Sequence, residues 1–180
     1  MQIHHLLTTL LPLLLTLTPT TTALITWTLA QSSSPTPEES TAYALITSAM
    51  TAAASRHTRL GAASKSIYVS YVPGVPTAEA NYDGTIRFGS NTAYMNERTA
   101  LHEISHTLGI GQTGAFDDRC ARNDWPLATA LLRSWDGEGA VINCGGGHIW
   151  PYGFNYDSEW SETNADRHVL LVNAMIEDGM

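Results

Sequence analysis

The sequence predicts an α+β fold in one domain, with a small twisted mixed sheet, a helix that carries a histidine motif, and a C-terminal helix. Three observations lead to this prediction. Short stretches rich in β-branched and aromatic residues alternate with segments of helical periodicity. Glycines are frequent between residues 109 and 160, where regular patterns fade, and a helical pattern returns after residue 161. The 180 residues show no internal repeat and suit a single domain.

A strand and a long helix should come first. Leu24–Leu29 alternates in polarity and is rich in β-branched residues, as a strand would be. Thr36 can cap a helix with Pro37 in its first position, and Glu39 completes a capping box. His57 is interpreted as a helix-end histidine and not as a ligand. The core face of this helix should comprise Tyr43, Ile46, Met50 and Ala53.

Two further strands are predicted before the motif helix. Ile67–Val72 is β-branched and aromatic, and Pro73-Gly74 stops it. Asp83-Gly84 marks a tight hairpin turn that leads into Thr85–Phe88. Because Thr85–Phe88 is short and partly polar, we expect it to lie at the edge of the sheet, beside the functional cleft.

The remaining regular elements are helices. The motif helix should cover Thr92–Leu108 and stop at Gly109, a short helix should lie within residues 126–135, and Ser161–Asp178 should form the last helix before Gly179. The core faces of the motif helix and the last helix should comprise Leu101, Ile104, Leu108, Val169, Val172 and Ile176.

Residues 1–23 are interpreted as a secretory signal peptide. Residues 1–37 contain no Asp, Glu, Lys or Arg, Leu6–Leu17 is a short apolar run, and Thr21-Thr22-Ala23 offers a cleavage site. A membrane anchor is the alternative, which the prolines and many threonines disfavour. Cleavage after Ala30 is also conceivable, but it would discard the first strand.

The exported domain would then span residues 24–180, with no membrane association. The whole chain has a net charge of -8 and only nine Lys or Arg residues. Nucleic acid and anionic membrane surfaces are therefore excluded as partners, because both require a basic footprint. We expect a secreted, extracellular monomer. In that compartment Cys120 and Cys144 should form a disulfide, although two buried thiols are the alternative.

The segment His102-Glu103-Ile104-Ser105-His106 carries the densest chemistry in the chain. On a helix, residues four apart share a face, so His102 and His106 can direct their imidazoles at one metal ion. Glu103 lies beside them, where its carboxylate can take a proton from a metal-bound water. This spacing predicts a zinc site.

The stretch HEISHTLGIGQ, residues 102–112, resembles the extended motif of the metzincin metallopeptidases, His-Glu-x-x-His-x-x-Gly-x-x-His. Gly109 matches the glycine of that motif. Gln112 stands where the third histidine would be, and an amide oxygen is a weak zinc ligand. Metzincins also carry a methionine turn beneath the zinc, but Met175 falls in a predicted helix and is interpreted as core.

Catalytic zinc generally has three protein ligands, so a third donor is required. His148 is the preferred candidate, because it follows Cys144 through three glycines that let the backbone pass close to the metal. The alternatives that the sequence leaves open are Asp157, Glu159, Glu162, Asp166, His168 and Gln112.

The segment Trp150–Trp160 holds five aromatic residues, and core filling is one interpretation of it. A functional interpretation is that Tyr152, or else Tyr156, donates a hydrogen bond to the oxyanion formed on attack. Asn155 and Glu159 could orient the ligand imidazoles.

The combination of HEISHTLGIG with His-x-Trp-Pro-Tyr-Gly-x-Asn-Tyr is similar to a group of secreted zincin-like proteins, over most of residues 24–180. The resemblance implies a zincin-like catalytic domain with the motif helix as active-site helix. It also implies relatives that occur alone or beside carbohydrate-binding modules.

The sequence thus predicts a secreted zinc metallopeptidase. His102, His106 and His148 would bind Zn²⁺, and Glu103 would act as general base, with Tyr152 assisting. The substrate would be a peptide or protein, including glycoproteins. Two alternatives stay open: a zinc hydrolase that cleaves glycan-linked amides or esters, and a secreted protein whose zinc is structural, which the intact Glu103 disfavours.

Overall fold

Four strands form one mixed sheet in a computed structural model that describes residues 24–180. The predicted signal peptide, residues 1–23, lies outside the described residues. The strands are β1 (Leu24–Leu29), β2 (Ser64–Tyr71), β3 (Ala78–Ala80) and β4 (Thr85–Phe88), in the spatial order β1-β2-β4-β3. β1, β2 and β4 run parallel, and β3 runs antiparallel to β4. The predicted α+β fold is confirmed.

Five helices accompany the sheet: α1 (Pro37–Leu60), α2 (Glu97–Leu108), α3 (Gly114–Arg122), α4 (Pro126–Asp136) and α5 (Glu162–Glu177). A two-stranded hairpin, β5 (Asn143–Gly145) and β6 (His148–Trp150), follows α4. Two short 3₁₀ turns occupy Thr92–Tyr94 and Asp157–Glu159. Within residues 24–180 no helix is both long and apolar enough to cross a bilayer.

The predicted start of α1 is confirmed in detail. Thr36 Oγ1 accepts from the Glu39 backbone N–H at 3.2 Å, and a Glu39 carboxylate oxygen accepts from the Thr36 N–H at 2.8 Å. Both bonds satisfy backbone donors that the first helical turn leaves free. Beyond the cap, Ile46, Met50 and Ala53 are fully buried, while Tyr43 is only half-buried.

One face of the sheet is covered by helices, and the other is open. Alternate side chains of the strands, such as Ile25, Ile67, Val69, Ile86 and Phe88, are buried against α1 and α2. A second apolar cluster joins α4, α5 and the β5–β6 hairpin. Met175 belongs to this cluster and is fully buried, in agreement with its interpretation as core.

The position of Thr85–Phe88 at the sheet edge was predicted wrongly. β4 lies between β2 and β3, and Ile86 and Phe88 are fully buried. The edge beside the motif helix is formed by β3. This Ala-Glu-Ala strand has low β-propensity and becomes a strand only because it pairs with β4 across the predicted turn at Asp83-Gly84.

The helix boundaries differ from the prediction at two places. α2 begins at Glu97 instead of Thr92, because Asn96 caps it through a bond to the Thr99 N–H at 3.0 Å. α3 was not predicted: it is nine residues long and buries only Phe116, so few apolar positions indicate it. Gly109 ends α2 with a φ of 132°, as predicted for a helix stop.

The predicted disulfide is present between Cys120 and Cys144. It joins α3 to β5 across a sequence separation of 24 residues. In the loop-entropy model, a closed loop of this size stabilises the fold by about 3.5 kcal/mol. Its structural consequence is that the hairpin carrying His148 is covalently fixed to the helix that follows the motif.

His57 is more deeply buried than a helix-end position suggests. Its side chain is 1% exposed, and neither ring nitrogen has a hydrogen-bond partner among the described residues. Burial, together with nearby His168 on α5, lowers the pKa of His57 to about 3 from an ordinary value of 6.5. The folded protein therefore holds this imidazole neutral at neutral pH.

We predict that His57→Leu reduces the loss of stability in acid. His57 takes up a proton below pH 6.5 in the unfolded chain, but only near pH 3 in the folded protein. Between these two values the free energy of unfolding therefore falls as the pH falls. The effect is roughly 3 kcal/mol at pH 4. Urea unfolding at pH 7 and pH 4 measures it, with exposed Thr58→Ala as control. An equal acid loss in His57→Leu and wild type would contradict this account.

Candidate metal centre

Three histidine side chains meet at one end of α2. His102 and His106 lie one helical turn apart on the same face of α2, and His148 opens strand β6 opposite them. One nitrogen of each ring lies within 4.8 Å of the others, so the three could hold one metal ion. The predicted grouping of His148 with the motif histidines is confirmed.

Two backbone carbonyls orient the motif histidines. The Nδ1 atom of His102 lies 2.7 Å from the Gly153 carbonyl oxygen, and the Nδ1 atom of His106 lies 2.8 Å from that of Ile110. Since a neutral imidazole has a single N–H, each ring donates through Nδ1 and turns the lone pair of Nε2 toward the other. This is the tautomer that a metal ion requires.

The distance between the two Nε2 atoms fits a shared cation. They are 3.2 Å apart. Tetrahedral ligands about 2.0–2.1 Å from a zinc ion lie roughly 3.4 Å from one another. Two lone pairs held this close are unfavourable without a positive charge between them, so the donor set suits a metal ion.

Burial keeps both rings ready to bind a cation. It lowers the pKa of His102 to about 3, with further lowering from neighbouring His106. Burial also lowers the pKa of His106. Both imidazoles are consequently neutral at physiological pH, and no proton competes with a metal ion for the Nε2 lone pairs.

Glu103 follows His102 on α2, and its buried carboxylate lacks a hydrogen-bond partner for one oxygen atom within the described residues. Its side chain is 4% exposed, and its Oε2 atom has no hydrogen-bond partner within residues 24–180. Burial, reinforced by Glu79 and opposed by Arg98, raises the pKa of Glu103 to about 8 from an ordinary 4.5. A buried carboxylate without a partner is costly, and a strongly shifted pKa beside a cleft makes Glu103 a candidate functional residue.

The Gly153 carbonyl owes its position to a tightly held loop. On either side of it, the Tyr152 carbonyl lies 2.6 Å from His168 Nδ1, and the Phe154 carbonyl accepts from Arg98 Nη1 at 3.0 Å. Tyr152 and Phe154 both adopt positive φ values, 64° and 59°. A Cβ atom on Gly153 would lie 2.0 Å from the Ile149 carbonyl oxygen, so only glycine fits here.

His148 reaches the site through a close contact between two glycines. Gly111, just after α2, has a φ of 65°, and a Cβ atom on it would lie 2.1 Å from the Gly147 carbonyl oxygen. The chain segment before His148 therefore lies directly on the turn that follows the motif helix. The Cys120–Cys144 disulfide and the pairing of Cys144 with Ile149 fix the same hairpin.

The histidines line a cleft of about 790 Å³. β3 forms one wall, α2 forms the floor, and the β5–β6 turn and the loop after β6 form the opposite wall. Gln112, which replaces the third motif histidine, also lines the cleft. The strand expected beside the cleft was β4, but β3 takes that place.

The structure contradicts the oxyanion role predicted for Tyr152. Its hydroxyl donates to an Asp136 carboxylate oxygen at 2.7 Å and lies 2.5 Å from Arg167 Nη1, and its side chain does not line the cleft. An αL backbone at Tyr152 turns the side chain into the second apolar cluster. The alternative, Tyr156, does line the cleft and is 62% exposed.

The other ligand candidates have structural partners elsewhere. Glu162 and Asp166 bind Arg56, Asp157 binds Arg98, and Glu159 caps the 3₁₀ turn at Tyr156. Both ring nitrogens of His168 face backbone carbonyls, of Tyr152 and Leu101. These contacts leave His148 and Gln112 beside the motif histidines, and His148 is the one that completes a group able to hold a metal ion.

The residues predicted to orient the imidazoles were also wrong. Asn155 lines the cleft, but its Nδ2 donates to the Ile149 carbonyl at 2.9 Å, and Glu159 does not touch the histidines. Backbone carbonyls take this role instead. Sequence reasoning also missed Arg98 and Gly111. The second glycine of the Gly-Ile-Gly segment was the available signal for Gly111.

Comparison of the chain with protein-family models, with curated proteins and with solved structures found no match.

We predict that Gly111→Ala weakens metal binding at least tenfold. The added Cβ atom overlaps the Gly147 carbonyl, and relief of that overlap displaces the hairpin that carries His148. Competition titration of zinc against a chromophoric chelator measures the change. Gly114→Ala is the matched control, because a Cβ atom there meets nothing within 4 Å. Equal zinc affinity in Gly111→Ala and wild type would show that this contact does not position His148.

Proposed function

We propose that the chain is a secreted zinc metallopeptidase of zincin type. The observation that carries the proposal is the pairing of a three-histidine donor set with a buried, unpartnered Glu103 carboxylate at the floor of an open cleft. Three protein ligands beside a cleft leave room for a substrate, whereas structural zinc sites are closed by four.

Zinc is the metal that suits this donor set best. Three imidazoles, two of them oriented by carbonyl acceptors, form a ligand set that catalytic zinc uses. Ions such as magnesium and calcium prefer oxygen donors instead. When bound, zinc would polarise a substrate carbonyl and lower the pKa of a water molecule.

Glu103 supplies the proton transfers in this proposal. Its carboxylate accepts a proton from the attacking water and passes that proton to the nitrogen of the leaving amine. The carboxylate must be ionised to begin this cycle. The positive charges of a bound cation and of Arg98 would both favour the ionised form.

A peptide substrate would lie along β3. Thr77 and Asn81, the residues on either side of β3, both bond to the β4 side of the sheet. The Thr77 carbonyl accepts from the Gly89 N–H, and the Asn81 N–H donates to the Thr85 carbonyl. The alternation of an antiparallel ladder then turns the backbone groups of Ala78 and Ala80 outward, toward the cleft. An extended peptide can pair with this free edge through main-chain hydrogen bonds.

Export is supported by the disulfide, since Cys120–Cys144 would persist in an oxidising compartment. The charge-free start of the sequence is compatible with the predicted signal peptide.

We predict that Glu103→Ala retains one equivalent of zinc and loses at least a thousandfold in kcat for peptide hydrolysis, because the variant keeps the three imidazoles and lacks the base. Elemental analysis and a quenched fluorescent peptide library measure the two properties. Glu138→Ala, at an exposed position outside the cleft, is the control and should retain turnover. Peptide hydrolysis at the wild-type rate by Glu103→Ala would remove Glu103 as the base.

A substrate panel tests the reaction class itself. Zinc-dependent cleavage of unglycosylated peptides is the expected result. Turnover confined to esters or glycan-linked amides would overturn the peptidase proposal.

A further inference from the structure

Arg98 is a buried cation in the wall of the metal cleft. Its side chain is 8% exposed, yet it lines the cleft together with the three histidines. It lies four residues before His102 on α2, so its side chain shares a helix face with that ring and stands about one 5.4 Å turn along the cleft. Among the cleft-lining residues described, it is the only Arg or Lys.

The contacts of Arg98 leave part of its binding capacity free. Nη1 donates to the Phe154 carbonyl at 3.0 Å, and Nη2 lies 2.6 Å from an Asp157 carboxylate oxygen. A guanidinium group has five N–H donors, so these contacts do not exhaust it. Asp157 is 86% exposed on a 3₁₀ turn, so the buried guanidinium is paired with a solvated carboxylate.

Space for a substrate side chain adjoins this guanidinium. A hollow of about 350 Å³ opens beside it, with Trp160 as an apolar wall and Asp157 at its rim. Glu97 also borders the hollow, but its carboxylate is already bound by Arg56 at 2.7 Å. Thr99, one turn before Glu103 and 4% exposed, also lines the cleft, and its buried hydroxyl oxygen has no partner among the described residues.

The charges around Arg98 favour a carboxylate over other side chains. Two acidic residues line the cleft: Glu79 is paired with Arg87, and Glu103 is the proposed base. A desolvated guanidinium binds a carboxylate through charge-assisted, geometrically specific hydrogen bonds, and it repels a basic side chain. Because Arg98 lies one turn from the ligand and base residues, the side chain it selects must be close to the bond that is cleaved.

We propose that Arg98 is a specificity-determining residue that selects an Asp or Glu side chain next to the scissile peptide bond. This inference rests on the proposed peptidase activity. In the free protein, Asp157 occupies part of the guanidinium group, and the substrate carboxylate competes with it for these donors.

Matched peptides test this proposal. The pairs differ only by Asp against Asn, or Glu against Gln, at one of the two positions on either side of the cleaved bond. Wild type should show a kcat/KM ratio of about ten or more in favour of the acid at one position. Arg98→Met should bring that ratio to about one while zinc stoichiometry, measured in parallel, verifies that the site is intact.

Asp157→Asn is the second variant, and it keeps the test decisive if Arg98→Met fails to fold. It removes the competing carboxylate, so the acid preference should rise severalfold through a lower KM. Glu159→Gln, on the same turn but without contact to Arg98, should leave the preference unchanged. An unchanged preference in Asp157→Asn would contradict competition for Arg98.

The proposal and the peptidase activity can fail separately. Peptide cleavage with an acid-to-amide ratio near one would overturn the role of Arg98 and leave the peptidase activity standing. If wild type cleaves no peptide, the peptidase proposal fails, and equilibrium binding of the same peptide pairs to zinc-loaded Glu103→Ala decides the role of Arg98. Equal affinity for acid and amide peptides, or binding of neither, would then overturn it.

Discussion

The hydrogen bond between His102 Nδ1 and the Gly153 carbonyl is the contact on which the geometry of the site depends. By taking the only N–H of a neutral imidazole, it leaves the Nε2 lone pair directed at His106. Arg98 and His168 hold the carbonyls on either side of Gly153, so the direction of His102 is fixed by a loop 51 residues away in sequence. The motif supplies the two histidines, the loop sets the tautomer of His102, and the Ile110 carbonyl sets that of His106.

Buried polar groups near the cleft are incompletely hydrogen-bonded among the described residues. Glu103 and Thr99 each bury an oxygen atom that finds no partner within the described chain. An unsatisfied buried polar atom costs about 1–3 kcal/mol. Much of this cost would be offset when a cation and a substrate occupy the cleft. Structural elements far from the cleft, such as the capped start of α1, follow the ordinary rules of local stability.

How much the sequence predicted depended on the range of the interactions involved. The capping box of α1, the stop of α2 at Gly109 and the two motif histidines follow from neighbours within about one helical turn, and all were predicted. His148 was found through its glycine-rich approach and the cysteine before it, which are local signals of a long-range contact.

The errors arose where partners far apart in sequence decide the outcome. β3 is a strand because it pairs with β4, and this pairing places β4 inside the sheet instead of at its edge. Tyr152 was assigned to the cleft by its place in an aromatic segment, but its positive φ turns it toward Asp136 and Arg167. No residue-type pattern indicates that the Gly153 backbone, instead of a side chain, orients His102.

The central claim is that three imidazoles bind one zinc ion beside an acid that faces the cleft. Crystallography of the zinc-loaded protein, with anomalous data collected on both sides of the zinc absorption edge, tests it most directly. The account predicts one strong anomalous peak about 2.0–2.1 Å from a nitrogen of His102, His106 and His148. A zinc-saturated crystal with the peak elsewhere, or with the three rings turned apart, would contradict it.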